Sequence, residues 1–243
     1  MRGRVLIALA VVAALAGCQE SGFDESKETQ RPLKVQHALD PLTGTKVPGL
    51  AERPLTLGAD ALGDALALGV RPVRAALPGA RLPDYLRSAA RGVEVVPPLT
   101  ELDIAATEAA DPDLILGTKE TDGDLYTRLS RIAPTVMSEG DDWKLNLRLH
   151  GEALGRTNDA EELLIDWDNR VARVREAIRG RKLVVSLPHP TPFAESILAD
   201  AGVRLGREGA EVVRLEPRPE WSGGGLLAAR AALAAIADVE PTL

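Results

Sequence analysis

The chain has 243 residues and a net charge of -7, with one Cys, two Phe, two Tyr and three Trp. The acidic balance argues against nucleic acid and against a polybasic membrane-surface role, and a single cysteine excludes an internal disulfide. With so few aromatics, any core has to be aliphatic.

The amino end has the parts of a secretory signal. Arg2 and Arg4 precede an apolar run of twelve residues, Val5 to Ala16, whereas a spanning helix needs about 20. The run is therefore a signal h-region. It ends in Leu15-Ala16-Gly17-Cys18, small residues leading to the chain's only thiol. That sequence resembles a bacterial lipobox, which implies that Cys18 carries a diacylglyceryl group and becomes the mature amino terminus. Residues 1–18 are read as signal peptide and lipobox. Gln19 to Gln30 hold almost nothing apolar and cannot bury enough surface to order themselves, so 19–52 is read as a flexible tether and lead-in. The protein is expected to be exported and lipid-anchored on the outer face of the cell membrane.

Beyond this lead-in, short apolar runs alternate with helical patterns, the signature of an α/β arrangement. Leu55-Thr56-Leu57 is a strand and Ala61 to Leu68 a helix that Gly69 stops. Arg71 to Ala76 and Arg91 to Val96 are further strands. Leu102 to Ala110 is a helix closed by Asp111-Pro112, and Asp113 to Gly117 has the form of a buried parallel strand. Leu125 to Ile132 is helical and Thr135-Val136-Met137 a strand.

A helix from Trp143 to Leu154 then runs across Gly155 into the clearest element, Asn158 to Arg179. There Leu163, Leu164, Trp167, Val171, Val174 and Ile178 form one apolar stripe, and Asn158 with Glu161 gives a capping-box-like start. The pattern restarts with a strand at Lys182 to Leu187 and a helix at Phe193 to Ala201. Leu62 to Val70 and Glu195 to Val203 are alike: each is a helix end running into a Gly-Val turn. The chain thus reads as two α/β lobes, 53–142 and 181–243, joined by helix 143–179.

In these stretches the sequence resembles the periplasmic binding proteins for iron-siderophore, haem and cobalamin uptake. Ala67-Leu68-Gly69-Val70-Arg71-Pro72-Val73 is similar to the family's first-lobe turn, and Ala110 to Gly117 to its "KPDLIIG" strand. Tyr126 to Val136 is similar to its "YDRLSEIAPTV" segment, Trp143 to Ala172 to its inter-lobe helix, and Trp221 to Ala229 to the entry into its final helix. The resemblance implies a class III solute-binding fold of two Rossmann-like lobes on a long rigid helix. It also implies an ABC importer permease as partner, a monomer, and a ferric siderophore or similar chelate as ligand rather than a cofactor.

Two departures stand out. Glu211 to Leu215 follows Gly202-Val203 closely, so the second lobe is expected to be reduced. The resemblance also implies a permease-docking glutamate six residues before each turn glycine, where this chain has Gly63 and Ser196. Asp64 and Glu195 stand beside them as candidates, although neighbouring helical positions point about 100° apart.

Ligands of open α/β sheets sit beyond the strands' carboxyl ends. That rule nominates Arg74, Arg81 and Tyr85 in the first lobe, then Thr118, Lys119 and Glu120, with His189 in the second lobe and Trp143 at the joining helix. Arginine suits an anionic chelate through its fork of donors, and Trp or Tyr offers a stacking face. His37, His150 and His189 lack the spacing of a metal site. No nucleophile elbow, P-loop, dinucleotide fingerprint or H-E-x-x-H motif occurs, so no catalysis is expected. Gly223-Gly224-Gly225 is read as the structural entry to the last helix. A transport-incompetent lipoprotein of the same fold, acting as scaffold, sensor or accessory subunit, is the alternative reading.

Overall fold

The structure is a computed structural model that describes residues 31–99, 104–179, 184–187, 190–206, 213–214, 219–222 and 224–237. It opens with an element that the sequence pattern does not announce. β1 (Leu33–His37) and β2 (Asp40–Val47) form an antiparallel hairpin. Val35, His37 and Val47 are buried, so the folded region begins about twenty residues before the first expected strand.

His37 fastens the hairpin. Its Nδ1 accepts from the N–H groups of Leu39 (3.3 Å) and Met137 (3.4 Å), and its Nε2 donates to Thr45 Oγ1 (2.9 Å). Burial lowers its pKa, against a weaker raising effect of Asp40.

β3 (Pro54–Leu57), β4 (Arg74–Ala76), β5 (Glu94–Val96), β6 (Leu114–Thr118) and β7 (Thr135–Ser138) form one parallel sheet in the order β5-β4-β3-β6-β7. All four residues of β3 and the first four of β6 are buried. Such strands are largely apolar because both sheet faces are covered. Between them run α1 (Ala59–Ala67), α2 (Ile104–Ala109) and the short helices α3 (Lys119–Asp122) and α4 (Tyr126–Leu129). Strand order reverses between β3 and β6, which places the switch point at the centre of the sheet.

α5 (Trp143–Ala153) and α6 (Thr157–Ala177) leave this lobe. Asp142 caps α5 by accepting from the N–H groups of Lys144 and Leu145, both at 3.1 Å. α6 begins at Thr157 with no side-chain cap. The expected Asn158–Glu161 box does not form, and Glu161 instead pairs with Arg148 at 2.7 Å. The stripe is as read, with Leu164, Trp167, Val171 and Ile178 buried. Gly155 makes the bend between the two helices at φ +71°, where a side chain would run into the carbonyl of Gly49.

The second lobe contains β8 (Val184–Ser186), α7 (Pro192–Ala201), β9 (Arg204–Leu205) and β10 (Val213–Arg214). Its strands form a parallel sheet in the order β10-β8-β9. α8 (Pro219–Ser222) and α9 (Gly225–Ala237) end the described chain. One apolar cluster runs through both lobes. It takes Ala65, Leu68 and Val70 from the first and Ile197, Leu198 and Val203 from the second, with α6 and α9 between them.

Candidate ligand cleft

The carboxyl ends of the first-lobe strands collect several candidates on one edge. After β3, Gly58 takes φ +89° and donates to Ala76 O (2.9 Å). β4 is followed by a tight turn over Pro78–Ala80 in which Gly79 and Ala80 both have positive φ, 63° and 50°. A non-glycine residue in that region is uncommon. The turn delivers Arg81 to solvent, where it has no hydrogen bond or ion pair among the described residues.

Across the switch point β6 ends at Thr118, whose N–H donates to Asp122 Oδ2 (3.0 Å). Lys119 lies 2.7 Å from Glu139 beyond β7, and Glu120 accepts from Gly140 N–H (3.0 Å). Arg81, Thr118 and Lys119 thus share one rim, but Lys119 and Glu120 are already engaged in tying two loops together.

Three other candidates lie elsewhere. Arg74 stands at the amino end of β4, because the strand begins three residues later than the sequence suggested. Its guanidinium is held by Glu94 Oε2 (3.0 Å) and the carbonyl of Ala106 (2.7 Å), so it braces the opposite edge of the sheet. Trp143 is 3% exposed and packs edge-on against Trp167, with centroids 5.0 Å apart at 80°. That makes it core and offers no stacking face. Tyr85 is half-buried and turned toward the start of α1. Burial, and then the carboxylates of Asp60, Glu220 and Asp64, push its phenol well above the usual range. Cys18, His189 and Gly223 lie outside the described residues.

Of the docking candidates, Asp64 is 0% exposed. Its Oδ2 meets His150 Nδ1 at 2.8 Å and its Oδ1 accepts from Leu226 N–H at 2.9 Å. No surface remains for a permease to touch, and Gly63 beside it faces Leu86 and Leu227. Glu195 is exposed in the first turn of α7.

This Asp64 network was not legible in the sequence, since its two side chains are 86 residues apart. Asp60 extends it by accepting from Gly224 N–H (2.6 Å), and burial raises the pKa of that carboxyl. Thr191, the cap of α7, accepts from Ala194 N–H (3.1 Å) and donates to the carbonyl of Trp221 (2.8 Å). The α8–α9 junction is therefore bonded to the start of α1 in one lobe and of α7 in the other. Gly224 and Gly225 have the structural role expected of them: a Cβ on either would press on Asp60 or Asp64.

Two grooves lie away from the rim. One of about 520 Å³ runs along the far half of α6 past Arg175 and Asp200, and one of about 470 Å³ lies between Gly69, Asp159 and Arg230. Among the described residues no His, Cys, Asp and Glu cluster could hold a metal ion, and no helix is long and apolar enough to cross a membrane.

Two parallel α/β sheets joined by α5 and α6 give the fold of the class III type. A family model described as "Periplasmic binding protein" matches residues 56–190, and the chain belongs to that family, one of binding proteins rather than enzymes. It is 31% identical over 180 residues to the "Probable siderophore-binding lipoprotein YfiY" of Bacillus subtilis (strain 168), covering 72% of this chain and 55% of that protein. With the "Achromobactin-binding periplasmic protein" of Dickeya dadantii (strain 3937) it shares 33% identity over 161 residues, 63% of this chain and 52% of the relative. The chain thus spans about half the length of these curated relatives.

Among solved structures, the petrobactin-binding protein YclQ of B. subtilis superposes with a TM-score of 0.63 at 20% identity, over 86% of this chain and 98% of its own. Staphylococcus aureus SirA complexed with staphyloferrin B gives 0.60 at 21%, over 86% and 84%.

Proposed function

We propose that this chain is a lipid-anchored solute-binding protein of an ABC importer, displayed on the outer face of the cell membrane, and that it holds an anionic ferric siderophore-like chelate between its lobes. The observation that carries the reading is Arg81, a guanidinium with no polar partner among the described residues, presented by a strained turn at a strand's carboxyl end. An unpaired fork of donors is suited to a carboxylate or catecholate oxygen. The relatives' names, siderophore-binding and achromobactin-binding, point to the same ligand class. Thr118 shares the rim with Arg81, and Lys119 joins them if a ligand displaces Glu139. His189 is assigned to the second-lobe side of the cleft and Glu195 to permease docking.

The buried state of Asp64 favours a second reading, in which the same fold serves as scaffold, sensor or accessory subunit without a permease. α1 is the element expected to carry the first-lobe docking acid, and its two acids, Asp60 and Asp64, are both bonded into the α9 junction.

The test is a titration of the mature chain with ferric hydroxamates, ferric catecholates, ferric polycarboxylates, haem and cobalamin, read by tryptophan fluorescence. Trp143, Trp167 and Trp221 all belong to the apolar cluster that both lobes share. Saturable quenching by one anionic ferric class at micromolar affinity or tighter, about -8 kcal/mol, supports the transport reading. Silence toward all of them from a folded protein supports the second.

A further inference from the structure

The β1–β2 hairpin carries a charge arrangement that no other strand pair among the described residues shows. Lys34 and Lys46 are direct cross-strand partners, and like charges placed opposite each other destabilise a ladder. Both are exposed, as is Arg31 just before β1. None of the three has an ion pair among the described residues. Arg74 and Arg148, by contrast, face acids, Glu94 and Glu161. The hairpin's only acid, Asp40, is turned into its own loop, where it accepts from the N–H (3.2 Å) and hydroxyl of Thr43. The start of β2 also projects Leu42, which is 89% exposed. A protein of net charge -7 therefore holds a small basic face with a protruding leucine on its first folded element.

The place of this face in the chain says what covers it. Only twelve residues separate Cys18 from Arg31, a length that spans at most about 45 Å even fully extended. We propose that the outer face of this hairpin, Arg31, Lys34 and Lys46 with Leu42, docks on the anionic headgroups of the membrane that carries the anchor. The inference rests on the lipid-anchor reading. Basic residues near an anionic lipid surface are each worth about fivefold in binding, and an exposed leucine beside them enters the interface. Because His37 and Met137 pin the hairpin to β7, docking also orients the whole first lobe relative to the bilayer. A tether alone would leave that orientation free.

The test uses the full acylated chain. Acylation consumes Cys18, the only thiol, so a Leu42→Cys variant offers one free thiol for an environment-sensitive fluorophore. The labelled lipoprotein is reconstituted into vesicles of phosphatidylcholine with or without phosphatidylglycerol. The expected result is a blue-shifted probe, quenched by lipid-borne quenchers, in the anionic vesicles only, with the effect lost at high salt. Lys46→Glu is expected to cut it at least fivefold, although that change gives Lys34 a cross-strand partner and so strengthens the hairpin. A chain that co-floats with vesicles while its probe stays in water, whatever the lipid, overturns the docking proposal alone. A chain that does not co-float at all removes the anchor reading and the docking with it. A signal that needs an added acidic protein in place of anionic lipid also overturns it.

Discussion

The two lobes are built on the same three strands and finished differently. In the first, β6-β3-β4 is the centre of a five-stranded sheet; in the second, β10-β8-β9 repeats that arrangement and is the whole described sheet. The helix after each central strand also ends in the same way. Gly69 and Gly202 take φ +74° and +73°. Val70 N–H reaches back to Ala65 O and Val203 N–H to Leu198 O, both at 2.9 Å, the long bond of a Schellman turn.

The difference lies in what supports them. The first lobe has outer strands and a hairpin on its edge, whereas the second leans on α6 and α9 through the shared apolar cluster. The three described strands of the second lobe thus share a core that the neighbouring helices help to supply.

If that holds, the lobes cannot unfold separately. Trp167 is fully buried and donates to Asp200 Oδ2 (2.9 Å) at the second lobe. Trp167→Ala is expected to cost about 4 kcal/mol and lower the melting temperature by roughly 10 °C. Calorimetry should still show a single transition, and two transitions would break the shared-core account. Next in size is His150→Ala, which leaves the carboxylate of Asp64 buried with Leu226 N–H as its remaining partner. Losing one member of a buried pair costs about 3 kcal/mol, and faster amide exchange confined at first to α1 and α9 would mark it as the first lobe's tie. The corresponding tie in the second lobe is weaker. Thr191→Ala removes a helix cap, worth about 1 kcal/mol, and should loosen α7 and α8 while leaving α1 unaffected.

The smallest effect belongs to the first lobe's hairpin. Burial holds the pKa of His37 below its ordinary 6.5, so the unfolded chain takes up the proton first. The stabilisation from neutral His37 is full above that ordinary value. It declines as pH falls from there to the lowered value at which the folded imidazole itself is protonated. Denaturant titrations between pH 7 and 5 should show this slope, and His37→Gln should flatten it.

Legibility followed periodicity. The β3 and β6 strands and the α6 stripe were plain in the sequence because each has a regular apolar pattern, and the Gly-Val turns because they repeat. The hairpin was not, since Pro41, Thr43 and Gly44 interrupt the alternation of β2. Asp64 misled for a physical reason. α1 lies between the sheet and α9, and five successive residues, Ala61 to Ala65, are buried. A helix enclosed on both sides has no solvent face, so the usual rule that its charged residues point outward fails. Arg74 was misplaced because β4 is only three residues long, half the expected strand, which puts the side chain at the strand's first position rather than within it.

The central claim is that the rim around Arg81 receives an anionic ferric chelate. It is tested most directly by measuring the affinity of the chelate that quenches tryptophan emission for the wild type and for Arg81→Ala side by side. Arg81 has no hydrogen bond or ion pair among the described residues, so the account predicts an unchanged melting temperature and at least tenfold weaker binding, about 1.4 kcal/mol. Equal affinity in the two proteins would contradict it and move the site off the first-lobe rim.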